Sequence, residues 1–195
     1  MRLIKPHKLK GEITKKKILD AFKICVRKHG YTRVRIQDIA REAKLENSNI
    51  YYYFENKETL LKEAVKREAE RLYKELSKIS KYRYKNKINE LAEFFFCESD
   101  KGIESANFFF EILDPCMKNK ALNDLRNEID ETCKAIIGKI LRQYTATESS
   151  SNQIATFAYE YMIGKRLMAA LSLENNLNDQ KNIYRDALKE ALSII

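Results

Sequence analysis

The stretch IQDIAREAKLENSNIYYYFENKETLL, Ile36 to Leu61, decides how this chain folds. Ile36, Ile39, Ala40 and Ala43 recur at helical spacing and predict a short helix over about 36–43. A second short helix is predicted over about Ser48–Phe54, with Ile50 and Phe54, four apart, on its inner face. Asn56 is placed to cap the helix that follows. Two short helices and a tight turn, set among basic residues and a run of tyrosines, have the layout of a helix-turn-helix. In that layout one helix enters the major groove and the other braces against the backbone.

Upstream, Ile18, Ala21, Phe22, Cys25 and Val26 form an apolar stripe, predicting a helix from an N-cap at Thr14 to about His29. Arg27, Lys28 and His29 suit its C-terminal dipole, and Gly30 stops it. Residues 1–12, with Pro6 and Gly11, read as a mobile basic arm. Downstream, a long helix runs from Lys57 to about Ser80, with Leu61, Val65, Leu72, Leu76 and Ile79 along one side. After a polar break at Tyr82–Lys87, further helices are expected at about Lys87–Glu98, Ile103–Leu113, Leu122–Tyr144, Ser150–Leu173 and Asp179–Ile194. Pro115 is expected to end one of them. The fold class is therefore all-α. A helix-turn-helix domain occupies 1–56, a connecting helix 57–80, and a larger helical body 81–195.

Charge separates these parts. The chain carries a net +9, and residues 1–60 hold 15 Lys/Arg against 7 Asp/Glu. The remaining 135 residues are nearly neutral. A basic head on a neutral body suggests a polyanion partner, double-stranded DNA first; a solvated, lysine-rich surface is the bland alternative. The four cysteines, Cys25, Cys97, Cys116 and Cys133, form no C-x-x-C pair. That spacing suggests neither a disulfide framework nor a metal site. No segment reads as a signal peptide or membrane span, so a cytoplasmic protein with reduced thiols is expected. With two histidines and no phosphate loop, nucleophile motif or metal-ligand set, there is no catalytic constellation and no cofactor is expected.

The pieces Gly30-Tyr31, Asp38-Ile39-Ala40, Ala43, Leu45, Ile50-Tyr51, Tyr53-Phe54, Lys57-Glu58 and Leu60-Leu61 resemble the DNA-binding domain of TetR (tetracycline-repressor-like) regulators. The resemblance covers about residues 14–61, a quarter of the chain; the body resembles the family only in helix number and length. It implies that Asn49, Tyr51, Tyr53 and Lys57 touch the DNA backbone, while Ser48 and its neighbours read bases. The residues themselves point the same way. With Ile50 and Phe54 turned inward, Asn47, Ser48, Asn49, Tyr52 and Tyr53 are candidates to face outward, as short hydrogen-bonding groups and amphipathic rings. Three consecutive tyrosines point about 100° apart, so at least one is exposed. Lys57, a cation at a helix start, would be explained by a phosphate partner. Three positions depart from the family pattern. Lys44 stands where glycine is usual, Glu46 at the third helix's cap and Arg35 at the second's. Arg33 and Arg35 thus become phosphate candidates, with solvated arginines an equal alternative.

In the body, two phenylalanine triplets, 94–96 and 108–110, and several tyrosines suggest an aromatic pocket. Phe95, Phe109, Phe110, Tyr144, Phe157 and Tyr161 are its candidate lining, alongside an ordinary-core reading. Glu111, Asn107, Arg166 and Glu160 are candidate polar groups. The segment Ile154–Leu171 is apolar on more than one face, as expected for a helix buried against its own core and a second subunit. The resulting expectation is a homodimeric, ligand-responsive repressor released from a palindromic operator by a small apolar or aromatic effector. A non-specific architectural DNA binder is the alternative.

Overall fold

The computed structural model describes residues 6–82, 86–96, 108–171 and 177–193, with only the backbone given for 6–9, 169–171 and 177. Cys97, Asn107 and the predicted helix over 103–107 lie outside the described residues, as do Ser172, Leu173 and Ile194. Within them the elements are helical, in the order α1 (Pro6–His29), α2 (Ile36–Ala43), α3 (Asn47–Tyr53), α4 (Lys57–Ile79), α5 (Lys87–Phe96), α6 (Leu113–Lys118), α7 (Lys120–Leu141), α8 (Glu148–Leu171) and α9 (Leu177–Ser193). A helical turn at 108–111 precedes α6, and a 3₁₀ turn, Arg142–Tyr144, follows α7.

The head is built as its periodicity requires. Ile18, Ala21, Phe22, Cys25 and Val26 of α1 are buried with Ile39, Ala40 and Ala43 of α2, and with Ile50 and Phe54 at α3. Small residues on α2 let α1 and α2 pack closely. Tyr31, just past Gly30, meets Phe22 edge-on, with ring centroids 6.4 Å apart. Gly30 takes φ +74°, a left-handed conformation that costs glycine little. Ion pairs tie α1 outward: Lys28 to Glu42 on α2, and Lys15 to Glu63 on α4.

Several local expectations need correction. Residues 6–12 are helical, the first two turns of α1, and not a mobile arm. Thr14 lies inside that helix; its hydroxyl donates to the Lys10 carbonyl at 3.0 Å instead of capping. Pro115 sits in the first turn of α6, where its missing N–H has no helical partner to lose, so it starts a helix and does not end one. The helix predicted to run to Tyr144 stops at Leu141 and tightens into the 3₁₀ turn. Asn56 does cap α4, accepting from the Thr59 N–H at 2.8 Å.

In the body α7 packs on α8, α5 on α9, and α4 on α7. Its core holds Leu91, Phe95, Phe96, Phe108, Cys133, Ile137, Ile140, Ala158 and Leu188. The head is seated on the body through Phe108, which meets Phe22 of α1 edge-on at 6.4 Å.

Candidate nucleic-acid interface and body cavity

The α2–α3 turn sets the head's outer surface. Lys44 adopts φ 51°, ψ 52°, the left-handed conformation that glycine would enter more cheaply. This choice preserves a standard helix end: the Leu45 N–H bonds the Ala40 carbonyl at 2.9 Å and the Lys44 N–H the Arg41 carbonyl at 3.1 Å. At the other end of α2, the Asp38 carboxylate reaches back to accept the Arg35 N–H at 3.1 Å. Asp38 thereby performs the reciprocal capping contact without a hydroxyl residue ahead of the helix. Glu46 occupies the cap position of α3 without a side-chain cap, and Asn47 is the first helical residue.

Ile50 and Phe54 are buried, so the other face of α3 is presented to solvent. Asn47, Ser48 and Asn49 are exposed. Tyr51 is 57 % exposed and Tyr52 79 %, both large for aromatic side chains. Tyr53 is half-buried, its ring edge-on to Tyr52 at 4.9 Å and its hydroxyl beside Gly11 of α1. Arg33, Arg35 and Gln37 are exposed on the loop and first turn of α2.

Lys57 has a different set of partners from those its position suggested. Its ammonium donates to the backbone carbonyls of Tyr31 (3.0 Å), Thr32 (3.3 Å) and Val34 (3.0 Å). It also lies 4.5 Å from the Tyr31 ring centroid. An ammonium has three N–H donors, and three carbonyls receive them. Partial burial lowers the Lys57 pKa below the usual lysine value, while the carbonyls and the ring face favour the charged form. Lys57 thus clasps the loop between α1 and α2, the loop that leads into Arg35 and the start of α2.

The body contains a cavity of about 1010 Å³ bounded by α4, α5, the 108–113 segment, α7 and α8. Of the six candidate lining residues, Phe95, Phe109 and Phe110 line it; Tyr144, Phe157 and Tyr161 do not. The reason is helical phase. Phe157 and Tyr161 lie one turn apart on α8, their centroids 5.9 Å apart; Phe157 is half-exposed, and Tyr161 turns to Tyr184 of α9, at 6.0 Å. Tyr144 lies in the 3₁₀ turn, beyond the end of α7. Glu160 and Arg166 do line the cavity; Glu111 instead approaches Gly30 of the head.

Sequence reading missed the cavity's other charged groups. By sequence Asp130 reads as surface; here it lines the cavity, accepting the Tyr159 hydroxyl (2.8 Å) and Arg126 (2.6 Å). Burial next to Asp130 and Cys133 pushes the Tyr159 pKa far above the usual tyrosine value. Arg71, also in the lining, pairs at 2.6 Å with Glu68, a carboxylate only 4 % exposed that also takes Lys23 of α1 at 2.6 Å. The sequence analysis singles out neither Glu68 nor Arg71, and Lys23 joins the pair from the head.

A helix-turn-helix head with an exposed polar and aromatic recognition surface, joined by one long helix to a cavity-bearing helical body, defines the class of helical transcriptional regulators. Residues 18–64 match the family model described as bacterial regulatory proteins, tetR family. The match covers the helix-turn-helix head, about a quarter of the chain. No curated protein matches the sequence. Its fold is shared by several solved regulators. A TetR transcription regulator from Haloarcula marismortui is 17 % identical with a TM-score of 0.79, covering 94 % of this chain and 98 % of that one. A transcriptional regulator from Saccharomonospora viridis, solved in complex with choline, is 18 % identical with a TM-score of 0.76, covering 91 % and 96 %. The fatty acid degradation regulator FadR from Bacillus halodurans is 18 % identical with a TM-score of 0.68, covering 89 % and 96 %. Among the described residues no helix is long and apolar enough to cross a membrane, and no group of three or more His, Cys, Asp or Glu is placed to hold a metal ion.

Proposed function

We propose that this protein is a cytoplasmic, homodimeric repressor that a small molecule releases from a palindromic operator. The observation that carries the reading is mechanical continuity. The exposed face of α3 is anchored by Ile50 and Phe54, α4 begins three residues after Phe54, and the same α4 supplies Arg71, Leu72 and Glu75 to the cavity wall. A change in cavity shape therefore acts on the helix that carries the recognition surface.

Asn47, Ser48 and Tyr52 are assigned to base edges and adjacent sugars. Asn49, Tyr51, Tyr53, Arg33 and Arg35 are assigned to phosphates. Lys57 serves the same interface from behind, by holding the loop that leads into α2. Two heads are needed because one reads few base pairs; heads one DNA turn apart, roughly 34–36 Å, read a palindrome. The outer face of the last helices supports a dimer. Phe157 and Met168 on α8 and Ile183 on α9 are all substantially exposed, apolar groups a second copy would cover. The choline complex of the Saccharomonospora viridis regulator supports a small-molecule effector in this fold without indicating which one binds here. Ligand and operator are coupled reciprocally: each weakens the other by the same factor.

The test is selection of bound fragments from the source genome at about 150 mM salt, where non-specific contacts are weakened. One enriched palindrome is the expected result. Weak, uniform binding that disappears as salt rises identifies an architectural DNA binder instead.

A further inference from the structure

Most of the charged groups that line the cavity have partners within the protein. Lys78 gives its ammonium to both oxygens of Glu75, at 2.7 and 2.9 Å. Arg126 is engaged by Asp130, Asn123 and Asn127. Lys134 bridges Glu131 and Glu160, and Glu93 takes Lys181. Glu90 lies in the first turn of α5, where a carboxylate suits the helix dipole. Arg166 has interactions of its own.

Arg71 is paired but keeps donors to spare. Its Nε and Nη2 both converge on one oxygen, Glu68 Oε1, at 2.7 and 2.6 Å. A guanidinium has five N–H donors in a planar fork, so the Nη1 edge retains donors while the side chain lines the cavity. Glu68 cannot neutralise Arg71 alone, because its other oxygen holds Lys23 at 2.6 Å. Two cations thus share one carboxylate that is almost fully buried. A group with spare donors that shares its carboxylate with a second cation, in a cavity that Phe94, Phe109 and Phe110 also line, calls for an acceptor-bearing anion attached to an apolar body.

We propose that the effector of this cavity is an amphiphilic organic monocarboxylate, bound through Arg71. By sharing Arg71 with Glu68 it changes the Glu68–Lys23 contact between α4 and α1, and so transmits occupancy to the head. The proposal rests on the ligand-responsive reading above and adds to it the ligand's charge and the residues that sense it. Transmission has a second contact alongside: Phe109 and Phe110 line the cavity, and the preceding Phe108 packs on Phe22 and lies 5.7 Å from the Lys23 ammonium.

Three probes with the same ten-carbon chain separate the possibilities: decanoate, decanol and decyltrimethylammonium, titrated calorimetrically into the full chain at neutral pH. Decanoate is expected to bind at least about tenfold more tightly than either of the others, the increment of a charge-assisted hydrogen-bonded pair. Arg71→Met should reduce that preference over decanol to about one, and Arg71→Lys should keep part of it. Circular-dichroism melts report whether each variant is folded. Tightest binding of the ammonium probe, or an undiminished preference in Arg71→Met, overturns the assignment. Equal binding of decanoate and decanol leaves the cavity as a ligand site but refutes its charge; binding of none of the three refutes the ligand-responsive reading as well. Transmission is read by hydrogen exchange. Decanoate should alter exchange of the α1 amides around Lys23 in the wild type and leave them unaltered in Lys23→Met, which still binds it. Identical responses in the two proteins overturn the proposed route.

Discussion

Replacing Lys57 with methionine keeps the aliphatic stem and removes the ammonium, so it isolates what the charge contributes. The wild-type group donates to three carbonyls, two of them partly buried, and faces the Tyr31 ring. A net charged hydrogen bond is worth about 1.5–3 kcal/mol, and an exposed cation–π contact about 0.5–1 kcal/mol. Water can replace the donor at the exposed Thr32 carbonyl, and partial exposure weakens the remainder. The expected loss for Lys57→Met is therefore roughly 2–3 kcal/mol, or about 4–12 °C in melting temperature for a chain of this size. DNA affinity should fall because the loop leading to Arg35 is less well held, but the dependence of affinity on salt should not change. A lysine bound to phosphate behaves differently. Removing it lowers the slope of log K against log salt by about 0.9 per contact and leaves the melt nearly intact. Denaturation in urea together with a salt titration of binding distinguishes the two. An unchanged melt with a slope reduced by about one per head would falsify the clasp and restore a direct phosphate contact.

Other substitutions test other parts of the account. Lys44→Gly should stabilise the fold by about 0.5–1 kcal/mol in urea, since φ 51° costs lysine more than glycine; a lower midpoint contradicts the left-handed turn. Tyr51→Phe should weaken DNA binding without moving the melt, because the side chain is exposed. Tyr184→Phe should be neutral or stabilising by up to about 1 kcal/mol, as its buried hydroxyl has no hydrogen-bond partner among the described residues; a clear loss would show that the hydroxyl is satisfied in solution. Stability should also fall on the alkaline side. Burial pushes the Cys133 thiol from 9 up to about 12, and raises Tyr159 and Tyr184 well above the ordinary 10. The folded chain keeps protons that the unfolded chain releases. Stability is thus fully present below about pH 9, then declines by about 1.4 kcal/mol per pH unit per group, Cys133 first and the tyrosines above about pH 10. Urea midpoints that stay flat from pH 8 to 11 would contradict this.

Head and body differ in how far their sequences disclose them. Local periodicity and turn chemistry were sufficient to define α2 residue for residue, the Asn56 cap, the buried stripe of α1, and the outward face of α3, because each depends on residues within about two turns of one another. The same locality made a basic arm of residues 6–12, whose place in α1 no apolar stripe announces. Lys57 could be recognised as an anomaly at a helix start, yet its partners lie 23–26 residues away, and only the packed head brings those carbonyls to it. The aromatic body implied a cavity but not its lining. Helical phase relative to neighbouring helices, set by packing, placed Phe95, Phe109 and Phe110 inside and left Phe157 and Tyr161 outside. For the charges the limit was sharper. Asp130 and Glu68 are ordinary helix-surface residues by spacing, and become cavity and boundary residues only when α7, α8 and α1 close over them. Sequence alone therefore determined the elements and the kind of protein they build. Tertiary structure decided which side chains meet, since in a helical fold that depends on rotations and crossings between segments far apart in the chain.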